Sequence, residues 1–229
     1  MLGLSNGSGM ASSNLSIVEG SFRQRVPEGT AGAIQRVNKK GDTINELSFT
    51  SLTGWITSIT FEDMDWGKML HIGFKADKDY KLTMGYADGL ASNFYKIIPN
   101  IDPAYPVSIF LNRKPDEKGV FRTSMFINQR SAPCKWAYTK ANPNGMPPFE
   151  QITVKGKLTW DNSKQIQFLI DKAINPFVEK LKDVVRIDDS PTAPTAKPSI
   201  VSYPEDYNTN EPVRGVNADG SVSDEDIPF

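Results

Sequence analysis

Two groupings of residues have types and spacing that could do chemistry, and in both the chemistry is recognition. The first is Asp224-Glu225-Asp226-Ile227-Pro228-Phe229, which runs into the terminal carboxylate. A solvated tail gains nothing by exposing Ile227 and Phe229 to water. As a peptide ligand the same residues make sense. The apolar pair fills a pocket, Asp226 and the α-carboxylate meet Arg or Lys at its rim, and Pro228 limits φ, which reduces the entropy lost on docking. The second grouping interleaves bases with aromatics. A single nucleic-acid strand is held by Lys and Arg along its phosphates and by aromatic faces that stack on bases, at ~1–3 kcal/mol per base. Phe126 with Arg122, Phe110 ahead of Arg113 and Lys114, and Lys135-Trp136-Ala137-Tyr138-Thr139-Lys140 behind Arg130 have that composition.

Bond-making chemistry finds little support. One cysteine, Cys134, excludes an internal disulfide, and together with the single histidine, His71, it excludes Cys/His metal sites. Cys134 reads as a small buried thiol and His71 as a strand residue. The glycines between Gly3 and Gly9 lack the Lys-Ser/Thr closure and the preceding strand of a phosphate-binding loop. Glu62-Asp63-Met64-Asp65 reads as a solvated corner, with no accompanying acid-plus-lysine signature of a metal-dependent nuclease. The expectation is a protein that is not an enzyme and takes no cofactor or metal.

The acid run leading directly into Ile227-Pro228-Phe229 resembles the acidic C-terminal tip of bacterial and phage single-stranded DNA-binding proteins, where an Asp-rich stretch ends in Ile-Pro-Phe. The resemblance covers Asp224 to Phe229. The body shows no residue-by-residue match to the bacterial tetrameric pattern, so the chain looks like a divergent, phage-type relative. The resemblance implies an OB-fold body that coats and protects single-stranded DNA without sequence preference during replication, recombination and repair. It also implies a tip that recruits polymerase, primase, helicase or nuclease partners. A monomer or dimer is expected rather than a tetramer, located in the cytoplasm (the host's, if phage-encoded). One rival is a replisome or recombination adaptor whose body binds protein. Another is a structural virion component with an incidental tail.

Charge is distributed accordingly. Net charge is −1, yet nine acids and only Lys197 and Arg214 lie beyond residue 187, so the tail carries −7 and residues 1–187 carry +6. A basic body tethered to an acidic tail suits a nucleic-acid binder that carries its own competitor. Composition divides the chain into a flexible Gly/Ser-rich segment (1–20), one binding domain (21–187), a disordered linker (188–223) and the recruitment tip (224–229). The start has no basic region or apolar run of a signal peptide, and no apolar run approaches the ~18 residues that would cross a membrane. The linker is too polar to offset its own chain entropy. As a coil it reaches on the order of 35 Å.

The domain that must position the aromatics reads as mainly β with appended helices. Strands are expected at 33–38 and 43–49 around Lys39-Lys40-Gly41-Asp42, at 52–62 with Gly54 as a bulge or bend, and at 69–75 and 80–86. A helix at 88–98, stopped by Pro99, precedes the hairpin 107–113/120–129. Pro133 makes 132–139 an edge strand, and 151–160 is extended with Gly156 weakening it. Short strands at this spacing, with a helix between the third and fourth, predict an OB-like five-stranded barrel. Over 162–185 an apolar stripe from Ile166 to Val185 predicts a helix, kinked or restarted at Pro176. Period-two alternation puts Val107, Ile109 and Leu111 on one face and Phe110 on the other, and likewise sets Phe126 and Arg122 opposite Met125 and Ile127. The candidate DNA-binding set is Trp55, Phe110, Phe126, Trp136 and Tyr138 for stacking. For phosphates it is Arg36, Lys39, Lys40, Arg113, Lys114, Arg122, Arg130 and Lys135, with Arg23, Arg25 and Lys140 in support. Phe74, Tyr80 and Tyr86 are expected in the core.

Overall fold

The computed structural model describes residues 13–38, 41–117, 119–154 and 156–187. The expectations for residues 1–12, Lys39, Lys40, the linker 188–223 and the tip 224–229 lie outside the described residues. The strands are β1 (Ser13–Val18), β2 (Ser21–Arg25), β3 (Ile34–Val37), β4 (Thr43–Phe49), β5 (Ser51–Met64), β6 (Gly67–Lys75), β7 (Asp79–Gly85), β8 (Val107–Pro115), β9 (Phe121–Gln129), β10 (Ala132–Pro133), β11 (Glu150–Val154) and β12 (Lys157–Asp161). Helix α1 (Gly89–Ile97) lies between β7 and β8, and α2 (Ser163–Leu169) and α3 (Asn175–Lys182) follow β12.

The architecture is mainly β with appended helices, but the sheet is not a closed five-stranded barrel. Ten strands form one sheet in the order β10-β9-β8-β5-β6-β7-β1-β2-β4-β3. The reason lies at the sheet edges. Closing β5 to β9 on themselves would require β7 to pair with β9. β1 instead takes the free edge of β7 in parallel, and β10 takes that of β9. β1 lies within the stretch expected to be flexible. Leu15 is buried in the core and Ile17 packs against it, so Ser13–Val18 alternates as a half-buried strand should. Glu19 and Gly20, both at positive φ, join it to β2 as a two-residue hairpin turn of the twist-compatible kind.

β5 is the strand on which the two wings turn. Ser51 to Gly54 pair with β8, Trp55 to Met64 pair with β6, and the register slips between Ile56 and Ser58. Gly54 is required at the bend, because a Cβ there would lie 2.5 Å from the Lys75 carbonyl oxygen. Gly54→Ala is therefore expected to destabilise the fold by about 1–3 kcal/mol, the range for forcing atoms into a filled site. Urea unfolding with an unchanged denaturant slope would show it. An unaltered midpoint would mean that the strand bends elsewhere.

Leu52, Ile56, Ile59, Leu70, Ile72, Phe74, Leu82 and Met84 meet Ile109, Met125 and Ile127 in one core, which Phe94 and Tyr95 of α1 complete. Of the three aromatics expected in the core, Phe74 is buried there, while Tyr80 and Tyr86 are partly buried and pack at its margin. The C-terminal helices bury Ile166, Leu169, Ile170, Ile174 and Phe177. A wide π-helical turn, Ile170–Ile174, comes before Pro176 in the first turn of α3, which accommodates the missing N–H. The helix ends at Lys182, so Val185, expected in the stripe, is exposed. Residues 151–160 are the hairpin β11–β12 rather than one strand, with Gly156 at φ 77° in the turn. Among the described residues no helix is long and apolar enough to cross a membrane.

Candidate nucleic-acid interface

The outward face of β8 and β9 carries the aromatic pair. Val107, Ile109, Met125 and Ile127 turn inward and are buried, so the alternate residues Ser108, Phe110 and Asn112 on β8 and Arg122, Ser124, Phe126 and Asn128 on β9 turn outward. Phe110 lies directly opposite Phe126, Asn112 opposite Ser124, and Lys114 opposite Arg122. Both phenyl rings are half-buried. Ser51 of β5 pairs with Phe110, and Thr53 pairs with Ser108 through a hydroxyl–hydroxyl hydrogen bond of 2.9 Å. The result is a polar sheet surface that carries two adjacent rings. Such a surface offers π-faces to bases and hydroxyls and amides to sugars and base edges.

Trp55 shares this face two residues beyond Thr53 and lies opposite Lys75 on β6. Its indole N–H donates to the Ile187 carbonyl at 3.3 Å, and the Ile187 N–H donates to Ala104 O at 2.7 Å. The chain that leaves α3 thus returns over the face and brings Ile187 beside Trp55.

The cations differ in what they have free. Lys114 is exposed on β8. Arg122 Nε donates to Asp116 Oδ2 at 2.9 Å, and the same carboxylate accepts the Val120 N–H, so Asp116 ties Arg122 to the β8–β9 loop. Arg113 stands 4.5 Å from the Phe121 ring centroid, and Phe121 is itself 57% exposed. Arg130 is at φ 51° in the β9–β10 turn and covers Tyr105 at 4.6 Å. Lys135 and Lys140 are exposed and lie off the β8–β9 strands, in the segment that follows β10. Arg36 is committed elsewhere. It grips the buried Glu46 with two bonds of 2.8 and 3.1 Å, and that carboxylate holds the guanidinium pKa above its usual value.

Two expected stacking residues are structural. Tyr138 is in the core, edge-to-face with Phe168 at 5.7 Å. Trp136 packs against the core with the buried Lys96 ammonium 5.3 Å from its ring centroid. The cause is that 134–140 is not a strand. Ala137 N–H donates to Lys96 O, Asn100 Nδ2 to Lys135 O and Asn144 Nδ2 to Ala137 O, which fixes the segment along α1. No alternation argument applies to such a path. Cys134 is half-buried and its thiol pKa is pushed up by burial. Sequence reasoning passed over Trp66, exposed in the β5–β6 turn, and Phe121 beneath Arg113. Position at a strand end was the available signal for both.

The outward face continues over β6 to His71. Its Nδ1 lies 2.9 Å from Thr83 Oγ1 and its Nε2 lies 2.9 Å from a Glu62 carboxylate oxygen. Burial lowers the imidazole pKa from 6.5 and Lys81 adds to this, while Glu62 opposes. The unfolded chain therefore takes up this proton before the folded one as pH falls. The stability due to His71 is full above about pH 6.5 and declines below it, until the folded imidazole also protonates. His71→Gln should flatten that part of the profile of urea midpoints, and an unchanged profile would assign the decline to other groups. Comparison with protein-family models, curated proteins and solved structures gives no match to this chain.

Proposed function

We propose that the protein is a non-catalytic, sequence-independent single-stranded DNA-binding protein that protects single strands in replication, recombination and repair. The observation that carries this reading is the directly opposed pair Phe110 and Phe126, set outward on a polar sheet face with Lys114 and Arg122 on the same face. The two aromatics stand beside cations on strands whose inward residues fill the core, a setting that suits base stacking. Bases stack on the two rings, and phosphates meet Lys114, Arg122 and the exposed basic residues around them. The order β9-β8-β5-β6-β7, with α1 between β7 and β8 and one long strand serving two neighbours, favours an OB-like reading of these five strands. In that reading β1 and β10 sit on the edges that closure would use.

The tail supplies the second half of the function. Residues 188–223 act as a tether, and Asp224 to Phe229 dock on polymerase, primase, helicase or nuclease partners. At rest the −7 tail, rooted beside Trp55, screens the basic body. DNA phosphates displace it and free the tip. The protein works in the cytoplasm as a monomer or dimer.

The test is titration of the full chain with oligo-dT at low ionic strength, followed by tryptophan fluorescence and by anisotropy of a labelled oligonucleotide. Saturable binding that weakens steeply with salt is expected, through counterion release. Absence of binding would overturn the reading. It would favour instead the adaptor whose body binds protein, for which the exposed Leu158 and Trp160 on the β11–β12 hairpin are the supporting observation.

A further inference from the structure

On β2, β4 and β3 the outward face holds three arginines around one carboxylate. Arg25 lies directly opposite Glu46, Arg23 lies opposite Ser48 one diagonal step along β2, and Arg36 lies one diagonal step away on β3. Glu46 is only 2% exposed and is taken by Arg36 through both carboxylate oxygens. Arg25 is exposed. Arg23 is different: its Nε and Nη1 are withdrawn from solvent and meet no acceptor among the described residues. A guanidinium presents a rigid fork of donors suited to carboxylate or phosphate oxygens, and buried N–H groups without acceptors are rare in folded proteins. Glu19 in the β1–β2 turn also acts on Arg36, and three guanidinium groups against two carboxylates still leave the patch net positive.

We infer that this face is an anion site for a phosphodiester group, with Arg23 as the principal donor, Arg25 as its exposed neighbour and Glu46 as the buried anchor that positions Arg36. The inference rests on the single-strand reading and extends it. β4 passes into β5 through Thr50, so Ser48 beside Arg23 and Ser51 beside Phe110 are three residues apart, at most about 10 Å along the strand. A strand whose base stacks on Phe110 thereby lays its neighbouring phosphates toward Arg23. The proposed track runs from Arg23 and Arg25 across Phe110 and Phe126 to Lys114.

Two probes of equal length separate the parts in the full chain: oligo-dT, and an abasic oligodeoxynucleotide that keeps the phosphodiester backbone without bases. Arg23→Ala is expected to reduce the slope of log K against log salt by about 0.7 for each phosphate that the variant no longer neutralises, with both probes. Its thermal midpoint should be unchanged or raised, because no acceptor loses a partner. Arg23→Lys keeps the charge without the fork, so it should retain the slope while binding both probes more weakly than the parent. Phe110→Ala should weaken oligo-dT and leave abasic binding alone. If the parent binds oligo-dT and Arg23→Ala leaves slope and affinity unchanged, or merely lowers the melting point, the anion site is refuted and the single-strand reading survives. If the parent binds the abasic probe through Arg23 but gains nothing from bases, the anion site stands and the stacking platform fails. A parent that binds neither probe overturns both.

Discussion

Replacing Phe110 and Phe126 together by alanine is expected to weaken oligo-dT binding by about two orders of magnitude while the protein stays folded. Each stacked base contributes ~1–3 kcal/mol, and tenfold in affinity corresponds to about 1.4 kcal/mol. Either single substitution should therefore lower affinity by about tenfold or more. The two rings face each other across adjacent strands, so their effects need not add. The fold is spared because the rings turn outward. The inward residues Ile109, Met125 and Ile127, all buried, carry the core on these two strands. The contrast is Ile109→Ala, which should lower stability by about 2–5 kcal/mol as a truncated core residue does. Its effect on DNA should appear only through the unfolded fraction. Anisotropy titrations paired with urea melts separate the two kinds of damage. A doubly substituted protein that melts normally and binds oligo-dT as the parent does would remove the platform from β8 and β9.

The second large effect concerns the tip. Deleting residues 224–229 should abolish capture of replication and repair partners and leave DNA affinity equal or higher. The deletion removes three of the nine acids beyond residue 187, together with the apolar Ile227 and Phe229. Less charge then competes for a body of +6, so binding has no reason to weaken. Ile187, the last described residue before the tail, is held on the same face as the aromatic pair, since its carbonyl accepts from the Trp55 indole. Immobilised full-length and truncated proteins, compared for capture of a bacterial polymerase, primase, helicase or nuclease, give one readout. Oligo-dT titration gives the other. A marked loss of DNA affinity on truncation would contradict a tail that screens the body, and retained partner capture would contradict a tip that recruits.

Much of the local structure was legible without coordinates. The hairpin 33–38/43–49, the long strand with Gly54 at its bend, and the helix stopped by Pro99 all follow from turn residues and periodicity, properties of neighbours in the chain. The outward setting of Phe110 and Phe126 is of the same kind, because the side chains of one strand alternate whatever the strand pairs with. Failures came where a side-chain or backbone partner on another segment decided the matter. Arg36 had the composition of a phosphate ligand, but the register of β3 on β4 brought it to Glu46. Tyr138 followed a basic-aromatic rhythm, but hydrogen bonds from Ala137 to Lys96 and from Asn144 to Ala137 took the segment out of any strand.

By itself, then, the sequence determined the type of most elements, strand face, charge asymmetry and the tip composition, since each depends on residue identity over short spans. Tertiary structure alone decided that β1 joins β7 in parallel, that ten strands form one sheet in place of a five-stranded barrel, and that Arg23, Arg25 and Arg36 gather around one buried carboxylate. Edge pairing and register are choices among surfaces of similar local character. They are settled by which arrangement buries Leu15, Phe22 and their neighbours and satisfies the backbone, a sum over the whole chain that no short window contains.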